Sequence, residues 1–223
     1  MLGDSNLRLD LPHGVQEHTV AKAVVHEDYD QGDSVHHNDI GKAHGMDLEI
    51  PIMISKFINL PGFVLLRTPA RLEDSVCLLC LPRPDVDIDQ ETCTVTGWGK
   101  PALTTPLPRA AAYWEDTETD GILREAELEI VDTERCTESL DIAAEDMTDF
   151  VCGDTRGEER EQSACFQGVD GGSPLACEAE GRHYLGGIVI FSTVCGGQAP
   201  SVFLKVSNYV GWILENYAAI RYN

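Results

Sequence analysis

Three short stretches carry side chains able to do chemistry. QGVDGGSPLAC, residues 167–177, sets the Ser173 hydroxyl close after the Asp170 carboxylate on a glycine-rich turn. HHND, residues 36–39, puts two imidazoles beside Asp39, and CLLC, residues 77–80, spaces two thiols as CxxC. A serine oxygen attacks a carbonyl only when an imidazole takes its proton and a buried carboxylate holds that imidazole. His36 and His37 adjoin Asp39 in the chain, whereas a catalytic base reaches its carboxylate from a different strand. They therefore read as loop histidines, and the same reasoning sets aside a metal site among them. Cys77 and Cys80 have the spacing of a redox pair, but apolar residues and a Leu-Pro turn surround them, which argues against catalytic thiol use.

The 223 residues hold 38 acidic and 16 basic side chains, a formal net charge of -22 that repels nucleic acid and anionic membrane surfaces. The acidic surface either attracts a basic partner or, as the simpler reading, keeps the molecule solvated. Eight cysteines, Cys77, Cys80, Cys93, Cys136, Cys152, Cys165, Cys177 and Cys195, lack paired CxxC knuckles and nearby histidines at zinc spacing. Disulfides fit them better than metal, which implies an oxidising, extracellular setting. The start, MLGDSNLRLD, has no secretory leader pattern and no segment reaches membrane-spanning length, so the natural N-terminus is expected upstream. No metal or other cofactor is expected.

The elements that would position these residues are mostly strands. HTVAKAVVH, FVLLRT, TCTVTGWG, ILREAELEIV, YLGGIVIFSTV and PSVFLKV are β-branched runs bounded by turn residues, an all-β pattern. Tyr209, Val210, Ile213, Leu214 and Tyr217 recur at helical spacing, predicting a C-terminal helix over 205–217 with Ser207 as its cap. A second helical turn is predicted in VDTERCTESL, capped by Asp132 or Thr133 with Cys136 facing inward. Residues 41–63 and 100–120 read as insertions or long loops.

Several motifs stand together in an order that resembles the trypsin-like serine proteases: TVTGWGK (94–100), LREAELEIV (123–131) followed by Cys136, FVCG (150–153), GGSPLAC (171–177) and FLKVSNYVGWI (203–213). HNDI (37–40) resembles the loop that carries the family's triad aspartate, here Asp39, and VLLR (64–67) its continuation. The resemblance implies two packed antiparallel Greek-key β-barrels with a site in the cleft between them and a C-terminal helix. The whole of 1–223 would be one such domain lacking its first strands, so that the first barrel is incomplete and the chain alone is expected to aggregate or unfold. Residues 41–63 then interrupt a core strand, as a retained intron or a partner-docking loop. The resemblance also implies three bridges, Cys93 with Cys177, Cys136 with Cys152 and Cys165 with Cys195. It gives Cys80 a partner upstream and leaves Cys77 without a role.

The same likeness places the nucleophile after the aspartate of GDSGGP, so Asp170 takes the aspartate's place and Gly171 that of the serine. Ser173 lies two residues too far on to replace it. Four residues, FQGV, separate Cys165 from Asp170 where active members have two, which disturbs the oxyanion hole. Ser163 takes the pocket floor, and Ile190, Phe191, Ser192 and Ser201 its walls. The TAAHC histidine motif is not in the chain, which makes Asp39 an orphan carboxylate. A glycine for serine resembles the non-catalytic, masquerade-like and clip-domain serine protease homologues of arthropods. The expected function is a secreted, inactive adaptor or cofactor in an extracellular protease cascade, with active serine proteases or their substrates as partners. The alternatives are a working serine-type endopeptidase with non-standard residues and a fragment without function.

Overall fold

The computed structural model describes residues 15–27, 48–54, 62–83, 88, 92–98, 121–140, 144–154, 171–191 and 200–221. Their strands are β1 (Val20–Val25), β2 (Leu48–Ile54), β3 (Gly62–Leu66), β4 (Thr92–Gly97), β5 (Arg124–Val131), β6 (Phe150–Asp154), β7 (Pro174–Ala179), β8 (Arg182–Phe191) and β9 (Ser201–Lys205). Helices α1 (Thr133–Leu140) and α2 (Val210–Arg221) complete the set with two 3₁₀ turns, Ala144–Met147 and Val206–Tyr209. The second half is a closed barrel in the order β4-β5-β6-β9-β8-β7, all neighbours antiparallel, and the first half is an open sheet in the order β1-β3-β2.

Alternation in the sequence builds the barrel. Along β4, Cys93 and Val95 point inward while Thr92, Thr94 and Thr96 face out. On β5, Leu128 and Ile130 enter the core while Glu125 and Glu127 stay exposed. Leu175, Val189 and Phe203 fill the interior against them. Each such buried aliphatic or aromatic side chain contributes about 1.5–3 kcal/mol. The β7–β8 hairpin turns through Glu180 and Gly181, both at positive φ (53° and 70°), the geometry of a two-residue turn that fits the twist of its strands.

Two bridges tie elements together. Cys93 and Cys177 are directly opposite one another where β4 and β7 close the barrel, with Cα atoms 4.1 Å apart. Cys136 on α1 joins Cys152 on β6 across a Cα separation of 6.1 Å. The α1 cap is the expected one, since the Asp132 carboxylate accepts a hydrogen bond from the Arg135 N–H at 2.7 Å, and Cys136 is buried. The pairing of Cys165 with Cys195 lies outside the described residues.

Two expectations change. The C-terminal helix is not a single element over 205–217. A 3₁₀ turn, Val206–Tyr209, leads into α2, Val210–Arg221, and the turn's N-cap is Lys205 with no side-chain cap bond, so Ser207 does not cap it. The reason is packing: Val206, Tyr209 and Ile213 must all meet Leu185, Ile188 and Leu204 on the barrel's outer side. Part of the stretch expected as an insertion is strand. β2 hydrogen-bonds to β3, and Gly62 and Phe63 already belong to β3. Pro51, which has no N–H to give, falls on this sheet's terminal strand within a register shift between Leu48 and Ile52, where a proline is tolerated.

The open sheet meets the barrel through α2. The Trp212 ring packs on Phe63 (centroids 5.6 Å) and on His26 (4.9 Å), and His26 also meets Tyr209 edge-on at 5.7 Å. The Trp212 indole N–H donates to Glu27 Oε2 at 2.7 Å. Hydrogen bonds from its own backbone N–H and from that indole hold the Glu27 carboxyl below the usual carboxylate range. At the other end, the buried Gln16 amide grips the Arg71 backbone twice, accepting from its N–H (2.9 Å) and donating to its carbonyl (2.7 Å).

Candidate functional site

The turn of residues 171–173 is built by its two ends. Pro174 opens β7 opposite Ile188 of β8, which fixes the exit of the turn. The turn then folds back on the same strand: the Gly172 N–H donates to the Val189 carbonyl at 3.0 Å, and the Val189 N–H donates to the Ser173 carbonyl at 2.9 Å. Gly172 has φ 91°, a conformation that a residue with a Cβ adopts only with strain, which explains the glycine at that place. Gly171, beside it, is half-buried.

The end of β8 forms the neighbouring wall. Val189 pairs with Phe203 and Phe191 with Val202, so two steps on β8 face one on β9. Ile190 is therefore the bulged residue, and it is half-buried. Ser201, also half-buried, precedes Val202 at the start of β9. Because the strands are antiparallel, the start of β7, the end of β8 and the start of β9 share one end of the barrel. Gly171, Ile190, Phe191 and Ser201 are thereby brought to one place. Asp39, Ser163 and Ser192 lie outside the described residues.

The site's chemistry follows from what these positions offer. At residue 171 there is no side-chain oxygen, and the Ser173 backbone is bound into the β8 ladder. The imidazoles with fixed partners belong to packing elsewhere. His18 bonds Gln16 Oε1 at 3.1 Å and Thr68 Oγ1 at 3.2 Å, and His26 lies on Trp212. Among the described residues no three His, Cys, Asp or Glu side chains gather as a metal site.

A trypsin-domain family model matches residues 1–213. The chain belongs to the trypsin family. It is 35% identical over 151 residues to protein masquerade of Drosophila melanogaster, covering 65% of this chain and 13% of that protein. It is 31% identical over 207 residues to human tissue-type plasminogen activator, covering 90% of this chain and 31% of that protein. The rat activator is 34% identical over 152 residues, 66% of this chain and 25% of its own length. The chain thus spans less than a third of each of these relatives. The solved structure of GrC superimposes with a TM-score of 0.65 at 25% identity, covering 97% of this chain and 75% of that one. The trypsin fold expected from the motifs is the fold observed, and both bridges within the described residues join the expected cysteines.

Sequence reasoning missed three features of this trypsin-family chain. Strand β2 was hidden in an apparent insertion. The second is the His26–Trp212–Phe63 cluster, whose members are distant in sequence and carry no local signal. The third is the seating of Cys80 along β8, where the Cys80 N–H donates to the His183 carbonyl and the Leu185 N–H to the Cys80 carbonyl, each at 2.9 Å. Among the described residues no helix is long and apolar enough to cross a membrane.

Proposed function

We propose that this trypsin-fold protein is a catalytically inert serine protease homologue that acts by binding, as an extracellular adaptor or cofactor for active proteases. The observation that carries the reading is Gly171. It stands in DGGSPL where the family's DSGGP places the attacking serine, at the turn where β7 begins against Val189. Loss of a serine nucleophile alone removes about a millionfold of rate in such enzymes, so a glycine at that turn leaves a binding surface without turnover. The four-residue spacing between Cys165 and Asp170 supports the same reading, since oxyanion donors stabilise only when their placement is kept. The likeness to masquerade agrees with an extracellular setting, as do the disulfides.

A fluorophosphonate probe tests this, because it bonds only to an activated serine oxygen. The native protein is expected to take up no more label than heat-denatured protein. Stoichiometric labelling that vanishes in Ser173→Ala would establish instead a working endopeptidase with a displaced nucleophile.

A further inference from the structure

Helix α2 is apolar on two sides. Its inner side is used: Ile213 is buried against the barrel with Leu185, Ile188 and Leu204, and Trp212 makes the contact with the open sheet. On the outer side Gly211, Leu214, Glu215 and Ala218 are all exposed, and their three- and four-residue spacing sets them in one stripe along the helix. Leu214 is at its centre, 54% exposed, with Gly211 and Ala218 one turn away on either side and the half-buried Val210 and Tyr217 beside it. Gly211 has nothing within 4 Å of the place that a Cβ would take, so the backbone there is open to close approach. A helix whose outer side meets only water carries charged or polar residues on that side. Here, in a chain of 38 acidic and 16 basic side chains, the run from Gly211 to Ala218 holds a single charge, Glu215.

Acidic groups mark one edge of this stripe. Glu215 follows Trp212 at three-residue spacing and so lies next to it on the helix surface. The exposed Glu27 accepts the Trp212 indole N–H at 2.7 Å, which brings a second carboxylate to the same edge.

We propose that the outer face of α2 is a docking surface for a basic amphipathic helix of a partner protein. Its apolar side chains would seat around Leu214, and its lysines or arginines beside Glu215 and Glu27. The relief of the stripe suits a helix: over about 10 Å, two turns, a large side chain stands between two low points, which is what the ridges of a second helix interlock with. The charge selects a basic partner, because the net charge of -22 draws it in and the two carboxylates then fix its orientation. A second copy of this chain fits worse, since it would set like carboxylates and two charges of -22 against each other. A contact of two helical turns belongs to the small, transient class of interfaces, as an adaptor requires.

The probe is a fluorescent amphipathic peptide helix of leucine and lysine, read by anisotropy at physiological salt beside the same peptide with glutamate for lysine. Native protein is expected to bind the lysine peptide and not the glutamate one. Leu214→Asp is expected to weaken that binding about tenfold or more, although it adds a negative charge, and Leu214→Ser and Glu215→Lys to weaken it as well. No binding by native protein overturns the proposal. Binding that is equal or tighter in Leu214→Asp also overturns it, since the contact would then be general attraction between acid and base. Self-association of the native chain that Leu214→Asp abolishes would assign the face to a second copy instead. Urea midpoints equal to the native one confirm that the variants are folded, and Leu214→Ser, which adds no charge, keeps the test open if Leu214→Asp lowers its midpoint. The result is separate from the reading of Gly171, because fluorophosphonate labelling reports on the turn before β7 and the peptide on α2.

Discussion

Gly186 sits on β8 directly over the bridge that closes the barrel. A Cβ there would stand 2.6 Å from Cys177 Sγ and 3.0 Å from Ile88 Cδ1, and a disulfide sulfur held by two strands does not move aside. Gly186→Ala is therefore expected to cost about 1–3 kcal/mol, read as a lower urea midpoint. Gly211→Ala, on exposed α2 with nothing within 4 Å of the added methyl, is expected to leave the midpoint unchanged or raise it by up to about 1 kcal/mol. Equal losses at both glycines would refute the packing argument. Tyr209 gives a second test at this scale. Burial, and after it the Asp149 charge, pushes its hydroxyl up to about 12 from 10.0. The folded state keeps Tyr209 neutral after the unfolded chain has ionised it. This contribution is thus complete below about pH 10 and fades as pH rises to about 12. Urea midpoints across that range should fall more steeply for the native protein than for Tyr209→Phe, and parallel slopes would deny the coupling.

The bridges differ at the scale of elements by the loops they close. Cys93–Cys177 spans 84 residues and Cys136–Cys152 spans 16. Chain-entropy reasoning assigns them about 4.5 and about 3 kcal/mol, so removing the first by paired Cys→Ala changes should lower stability more. Equal or reversed losses in chemical denaturation would count against that ranking. Elements with a plain alternation were readable from sequence: TCTVTG and REAELEIV became β4 and β5 because threonine or glutamate alternates with core residues. The Asp132 cap was readable for the same local reason. Strand β2 was not, since IPIMI shows no alternation and contains a proline that only its place at the end of the sheet excuses. The start of α2 was misread because contacts from Leu185, Ile188 and Leu204, distant in sequence, decide how the chain enters that helix.

The whole molecule joins a closed barrel to an open three-stranded sheet. Closure leaves β4 through β9 with neighbours on both sides, whereas β1 pairs only with β3 among the described strands and is largely exposed. Amide exchange is expected to be slowest in β4, β8 and β9 and fastest in β1, with α2 tracking the sheet through Trp212. Uniform protection across both halves would show that the sheet is no weaker than the barrel. The trypsin fold was legible because several motifs keep their order along the chain. The convergence of Ile190, Phe191 and Ser201 beside the 171–173 turn was not legible from periodicity, because it arises from the antiparallel pairing of β7, β8 and β9, which are distant in sequence. The central claim is that this arrangement binds without cutting, and the most direct measurement is peptide-bond hydrolysis by purified protein on a mixed peptide library. The expected result is a cleavage rate equal to that of buffer and unchanged in Ser173→Ala. Cleavage above that background, lost when Ser173 becomes alanine, would contradict it.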